Sequence, residues 1–438
     1  YSDLPRILKR YKFEEKMRIC NHYSRNITSD DGIIGTQELK GKVYPWELET
    51  FLLLSIYATP EYSYNDFIGK NEKKFVKMIN IIRNFTHPYL ENMKRTIKFV
   101  DYYIVSTGLI QFVPQESLKY KLYRYDFIFN FENENINMKK EFVRKFGMEY
   151  SGFFNLGYIL NFLYSTDIVL TQEFLNHILL KMFPLAYKNL SISLEEYKKQ
   201  LNNITDDTAD YIYCLRPSYK YPFITCGNVA YLPLPHVIGR SITSSLLYRL
   251  TDNNNILRTK VGKEILEIYL LKLLSDACIY DEIIPEKYYY RVHKTEARTL
   301  DIMLREKDNY ILIDSKASVP LIGLRIFDDE SYKKEINRLV ENVLQVYKHL
   351  RIYFMKEYNF FEGSPVVSDE KLWGAVVVLE DSYVRRSLIY ENVATKLSMD
   401  MSSDEYNWIQ NHIKVVSLYD IEKVSLIGDS IIKYFIEQ

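Results

Sequence analysis

Residues 298–318 read RTLDIMLREKDNYILIDSKAS, and no other stretch restricts the fold as tightly. Two β-prone runs, Leu300 to Arg305 and Tyr310 to Ile313, flank the polar turn EKDN, which predicts an antiparallel hairpin. A register that pairs Glu306 with Asn309 puts Asp301 opposite Asp314. A turn centred on Asp308 and Asn309 puts Asp301 opposite Lys316 instead. Side chains alternate along a strand, so Asp314 and Lys316 share one face, and either even-length loop places Asp301 there too. A three-residue loop would break that relation.

Two carboxylates roughly 5 Å apart on one sheet face repel unless a cation lies between them. Oxygen-only ligands suit Mg²⁺, which keeps several waters and accepts phosphate oxygens. A lysine two residues beyond the second carboxylate can steady developing negative charge or help deprotonate a water. Asp301, Asp314 and Lys316 therefore carry the groups that metal-assisted phosphodiester hydrolysis needs.

The rest of the chain divides by periodicity. Over residues 1–205 apolar positions recur at helical spacing, in 48–58, 72–85, 89–105, 139–146, 153–164, 172–186 and 194–201. Thr86 reads as an N-cap, with Pro88 in the first turn. Residues 206–250 contain YPFITCGNVAYLPLP, a hairpin signal around Gly227-Asn228, and are expected to act as a connector. From 251 to 438 helices and strands alternate, an α/β pattern. With only 15 Gly and 13 Pro among 438 residues, a loop-rich all-β chain is disfavoured.

Equal numbers of basic and acidic side chains, 57 of each, exclude a uniformly basic nucleic-acid coat. The distribution is uneven, with 32 basic and 26 acidic residues in 1–250 against 25 and 31 in the remainder. Lys70, Lys73, Lys74, Lys77, Arg83, Lys94, Arg95 and Lys98 form a basic stretch, read first as a solvated helix face and second as a nucleic-acid surface. Cys20, Cys214, Cys226 and Cys278 form no CxxC pair and no zinc spacing with the seven His, which favours a reducing compartment. No run approaches a membrane span, and the first residues lack an apolar signal core, so a cytoplasmic location is expected. No phosphate-binding glycine loop for NTP or dinucleotide chemistry is present.

Asp301 followed by Asp314-Ser315-Lys316 on the next strand resembles the PD-(D/E)xK signature of restriction-endonuclease-like nucleases. Leu300 stands where that family usually has proline. Upstream, VGKEILEIYLLKLL resembles the family's helix motif through Gly262, Leu266, Glu267 and Tyr269, with leucine in the aromatic position. The resemblance covers about residues 259–420. After Lys316 the sequence reads as a long helix over DESYKKEINRLVENVLQVYKHLRIYF, a buried strand over 372–379, a helix near 384–398 and a short strand over 413–418. That order matches the αβββαβ core which the resemblance implies behind an α-helical N-terminal domain. The resemblance implies catalytic roles for Glu267, Asp301, Asp314 and Lys316. Metal ligation would come from Glu267, Asp301, Asp314 and the Ser315 carbonyl, with Glu264 in reserve for Glu267.

Gln345 could contact metal water or DNA backbone, although a polar helix-face role is the plainer reading. Arg325 could bind phosphate or simply face solvent. The implied activity is Mg²⁺-dependent (Mn²⁺ as substitute) hydrolysis of nucleic acid, DNA ahead of RNA, in restriction or phage defence. The alternatives are a non-catalytic scaffold that recruits a protein partner through the helical domain, and an RNA-directed nuclease. Either is compatible with an oligomer.

Overall fold

A computed structural model of the chain describes every residue except 26, 28–42, 60–71, 94–96, 113–115, 167–170, 291–295, 355–360, 362–366 and 438. It is mixed helix and sheet, with a helical N-terminal region, and it divides into two compact units, residues 1–254 and 255–438.

In the first unit, helix Met138–Phe146 shows how local sequence sets an element. Met138, Phe142 and Phe146 recur at helical spacing and are buried. The Asn137 side chain accepts from the Lys140 N–H at 2.7 Å, and Gly147 ends the helix in the left-handed region, φ 72°. Helix Pro45–Tyr57 is of another kind: every residue from Leu48 to Ile56 is buried, as an all-round apolar helix requires. The short helix Pro88–Met93 starts at proline, but His87 caps it rather than Thr86: its Nδ1 accepts from the Tyr89 N–H at 3.2 Å.

Residues 206–250, expected as a connector, are built into this unit. The hairpin strands β2 (Phe223–Cys226) and β3 (Val229–Tyr231) join β1 (Ser191–Ser193) through parallel β1–β2 pairing. The same segment supplies Arg216 and His236 to the all-buried helix. Arg216 Nε lies 2.6 Å from Glu49 Oε2, which also accepts from the Tyr219 hydroxyl at 2.6 Å. His236 Nε2 lies 3.2 Å from Oε1, and the Arg216 terminal nitrogens donate to the Ile212 and Cys214 carbonyls at 2.9 Å. Burial alone would raise the Glu49 pKa, yet Arg216, His236 and Tyr219 hold it below the usual carboxylate value.

The second unit begins with helix Asn255–Lys260, a π-helical turn at Val261–Leu266, and helix Glu267–Asp276. Strands β4 (Glu282–Pro285), β7 (Ile302–Glu306), β8 (Asn309–Lys316), β9 (Leu372–Val378) and β10 (Ile413–Ser417) form one sheet in the order β10-β9-β8-β7-β4. Pairing is antiparallel for β4–β7 and β7–β8, and parallel for β8–β9 and β9–β10. A separate two-stranded sheet joins β5 (Tyr288–Tyr290) and β6 (Glu296–Arg298). β9 is buried throughout and β8 from Tyr310 to Asp314, so these central strands read as continuous apolar runs. Helix Asp329–Phe354 packs on β8 and β9. Gly374 makes room for it, since a β-carbon there would lie 2.5 Å from a Val346 methyl. Among the described residues no helix is long and apolar enough to cross a membrane.

Removing the Glu49 carboxylate would strand the Arg216 guanidinium in the core. Glu49→Ala is expected to cost roughly 3–5 kcal/mol of unfolding free energy, read by urea denaturation. A loss below about 1 kcal/mol would mean that the network does not hold this unit together.

Candidate functional site

The hairpin register decides which charges meet. Glu306 pairs with Asn309 and Ile302 with Ile313, so the next step of the ladder sets Asp301 against Asp314. Lys307 takes positive φ, 55°, in the two-residue turn. Asp301 sits in the bend just before β7, and its carboxylate turns into the edge of β8. Its Oδ2 accepts from the Ser315 N–H at 2.6 Å and from the Ser315 hydroxyl at 2.8 Å. Asp301 thus closes a strand edge that β7 leaves unpaired.

Asp314 ends the buried part of the central strand and is only 2% exposed. Lys316, two residues on, donates to its Oδ1 at 3.0 Å, and the ammonium lies 2.7 Å from Oδ2. That second approach is an ion pair without hydrogen-bond geometry, so Oδ2 makes no directed bond. Gln345 on the long helix completes the group: its Oε1 is 3.4 Å from the Lys316 ammonium and its Nε2 is 3.5 Å from Asp314 Oδ1. Burial raises the Asp314 pKa to about 6, with Lys316 opposing and Asp301 reinforcing the rise.

Glu267 enters from the helix that follows the π-helical turn. A β-carbon on Gly262 would lie 2.7 Å from the Ala317 methyl, so glycine permits close approach to the end of β8. Burial first, then the charges of Asp301 and Glu286, push the Glu267 pKa up to about 8. Lys263 and Arg298 oppose that rise. Tyr269, in the same sequence motif, is structural: its hydroxyl donates to the buried Glu422 at 2.7 Å.

Direct contacts join Asp301 to Ser315, and Asp314 to Lys316 and Gln345. Glu267 makes no hydrogen bond or ion pair with them among the described residues and is linked to them only through the charge of Asp301. The structure adds Glu286 and Arg298, paired at 3.2 Å, which sequence reading missed because neither lies in the motif. Their placement depends on β5–β6 pairing, whose only sequence trace is the β-prone YYY at 288–290. The full ligand set expected from sequence does not stand ready. Among the described residues no three His, Cys, Asp or Glu side chains form a metal-holding group. Lys316 engages Asp314, and the Ser315 N–H and hydroxyl engage Asp301.

Arg325 is buried rather than solvent-facing. In the basic stretch, Lys73, Lys74 and Lys77 are exposed on helix Glu72–Arg83. Arg83 is spent on Glu47 at 2.5 Å, and Lys98 lies over the Tyr102 ring. Lys70, Lys94 and Arg95 lie outside the described residues. All four cysteines are free thiols. No family model matches the chain, and no curated protein or solved structure does either.

Both raised carboxyls hold protons more tightly in the folded than in the unfolded chain. Their contribution to stability is therefore complete below the ordinary carboxylate pKa and lost as pH rises through about 6 for Asp314 and about 8 for Glu267. Glu267→Gln, which cannot ionise, should gain melting temperature relative to the parent as pH rises through neutrality in EDTA. A difference that stays flat across that range would show that Glu267 is not strained by ionisation.

Proposed function

We propose that residues 255–438 form a metal-dependent nuclease of the PD-(D/E)xK, restriction-endonuclease-like kind. Its substrate would be nucleic acid, DNA ahead of RNA, and its setting restriction or phage defence. The observation that carries the reading is the meeting of Asp301 with Ser315, next to the Asp314–Lys316 pair at the ends of adjacent strands; the charge of Asp301 also raises the pKa of Glu267. The order helix, β4, β7, β8, long helix, β9 supports the fold assignment, since it is the order that the resemblance implies. The defence setting and the preference for DNA rest on the resemblance alone.

The donor set fits a hard divalent cation. Glu267, Asp301 and Asp314 offer carboxylate oxygens to Mg²⁺ or Mn²⁺. The Ser315 carbonyl lies on the same side of β8 as the N–H that reaches Asp301, because both groups of one residue point the same way in a strand. The two raised pKa values mark carboxylates that lack full compensation and gain from a nearby positive charge. Bound there, the cation would supply Lewis-acid stabilisation of charge on the phosphoryl group. Lys316, steadied by Asp314 and Gln345, would stabilise negative charge on the phosphate or help deprotonate the attacking water.

One observation favours a non-catalytic scaffold: the Lys316–Asp314 ion pair already satisfies much of the carboxylate. Metal titration by calorimetry, beside cleavage of plasmid DNA and of RNA with Mg²⁺, Mn²⁺ or EDTA, separates the two. Asp314→Ala should lose metal affinity and cleavage together. Lys316→Ala should bind metal as well as the parent or better, yet cut roughly 10²–10³-fold more slowly. Lys316→Arg should not restore the rate, because a planar guanidinium does not replace an ammonium. A parent chain that neither binds metal nor cuts either substrate would favour the scaffold.

A further inference from the structure

A cavity of about 520 Å³ lies within the first unit, in the size range of small-molecule sites. One wall is helix Phe13–Ser24 with the residue after it, and Tyr164, Gln172 and Tyr231 face it. Arg18 and His22 recur at helical spacing on this wall, and Arg25 follows at the C-cap. Their electrostatic situations differ. Arg18 is engaged by Glu14 at 2.7 Å and Glu15 at 3.2 Å, so Glu14, the one carboxylate among the described lining residues, is neutralised.

Arg25 has no carboxylate partner among the described residues. It is nevertheless held in place. Its Nε donates to Asn21 Oδ1 at 3.0 Å, and its guanidinium lies 4.9 Å from the centre of the Tyr164 ring. Asn21 is itself anchored, donating to the Leu232 carbonyl at 2.6 Å. A half-buried guanidinium held by Asn21 and Tyr164, with no carboxylate partner among the described residues, is a preorganised anion hook.

His22 is exposed at the same wall, and its ring nitrogens have no hydrogen-bond partner among the described residues. Across the cavity Gln172 uses its amide hydrogens on the Ala230 carbonyl at 2.9 Å and Asn176 Oδ1 at 3.0 Å. Its Oε1 accepts from no donor among the described residues, which leaves it for a ligand N–H. Tyr231 lines the cavity, whereas the Tyr164 ring is buried beneath the Arg25 guanidinium.

We propose that this cavity binds a mononucleotide, with its phosphate on Arg25 and His22, its base against the Tyr231 ring and an amino group donating to Gln172 Oε1. Inorganic phosphate alone would leave Tyr231 and Gln172 unused. A nucleoside alone would leave Arg25 unpaired. The geometry therefore favours the joined ligand over either part, and it stands independently of the nuclease assignment.

Calorimetry and thermal shift on the full chain test this with AMP, GMP, CMP and UMP, and with inorganic phosphate and adenosine as partial ligands. At least one amino-bearing nucleotide (AMP, GMP or CMP) should bind and raise the melting temperature. UMP, phosphate and adenosine should each bind more weakly. Arg25→Ala should weaken the best nucleotide roughly tenfold or more, the value of a charge-assisted hydrogen bond. Because Arg25 also packs on Tyr164, His22→Ala serves as the second variant; it removes an exposed ring and should weaken nucleotides while leaving adenosine unchanged. The proposal fails if no nucleotide binds at millimolar concentration. It fails equally if phosphate binds as tightly as the best nucleotide, or if neither substitution changes affinity.

Discussion

The register of the β7–β8 hairpin is the constraint on which the second unit depends. Pairing Glu306 with Asn309 sends Ile311 and Ile313 to one face and Leu312 and Asp314 to the other, and all four are buried. A slip of one residue would exchange these faces and take Asp314 away from Lys316's partner Gln345. The two-residue turn, with Lys307 in the left-handed region, holds that register. Because β7 ends at Ile302, the N–H of Ser315 has no strand partner on that side, and the Asp301 carboxylate takes it. Closing a sheet edge and assembling an acidic site are here one event.

The two units bury carboxylates to opposite effect. Glu49 meets Arg216, Tyr219 and His236, and its pKa falls despite full burial. That is a carboxylate compensated by its surroundings, as a structural ion pair must be. Asp314 has one lysine and a distant amide, Glu267 has no hydrogen-bond or ion-pair partner among the described residues, and both pKa values rise. A buried carboxylate that its surroundings do not compensate is costly unless something positive binds it, a need that Glu49 has met within the fold.

Sequence reading found elements where one physical signal dominated. Helix Met138–Phe146 has its apolar spacing, its Asn137 cap and its terminal Gly147, and all three agree. Strands β9 and β10 showed as short apolar runs. The reading failed where context chose among local options. Thr86 offered a side-chain cap, but the chain enters Pro88 directly from His87, whose ring accepts instead. Segment 206–250 looked like a linker because Pro and Gly punctuate it, yet those breaks let Arg216 and His236 reach Glu49.

The candidate site divides along the same line. Sequence by itself determined that Asp314 and Lys316 share a face, because strand alternation has a period of two whatever surrounds it. It also placed Glu267 on a helix upstream and the acidic hairpin between helices. Only the tertiary structure chose between the two even registers, buried Asp314, brought Gly262 against Ala317 and set Arg298 and Glu286 beside the carboxylates. Those outcomes depend on contacts between residues far apart in the chain and on the solvent those contacts exclude. Desolvation, which raises the Asp314 and Glu267 pKa values, is a property of the packed neighbourhood and not of a motif.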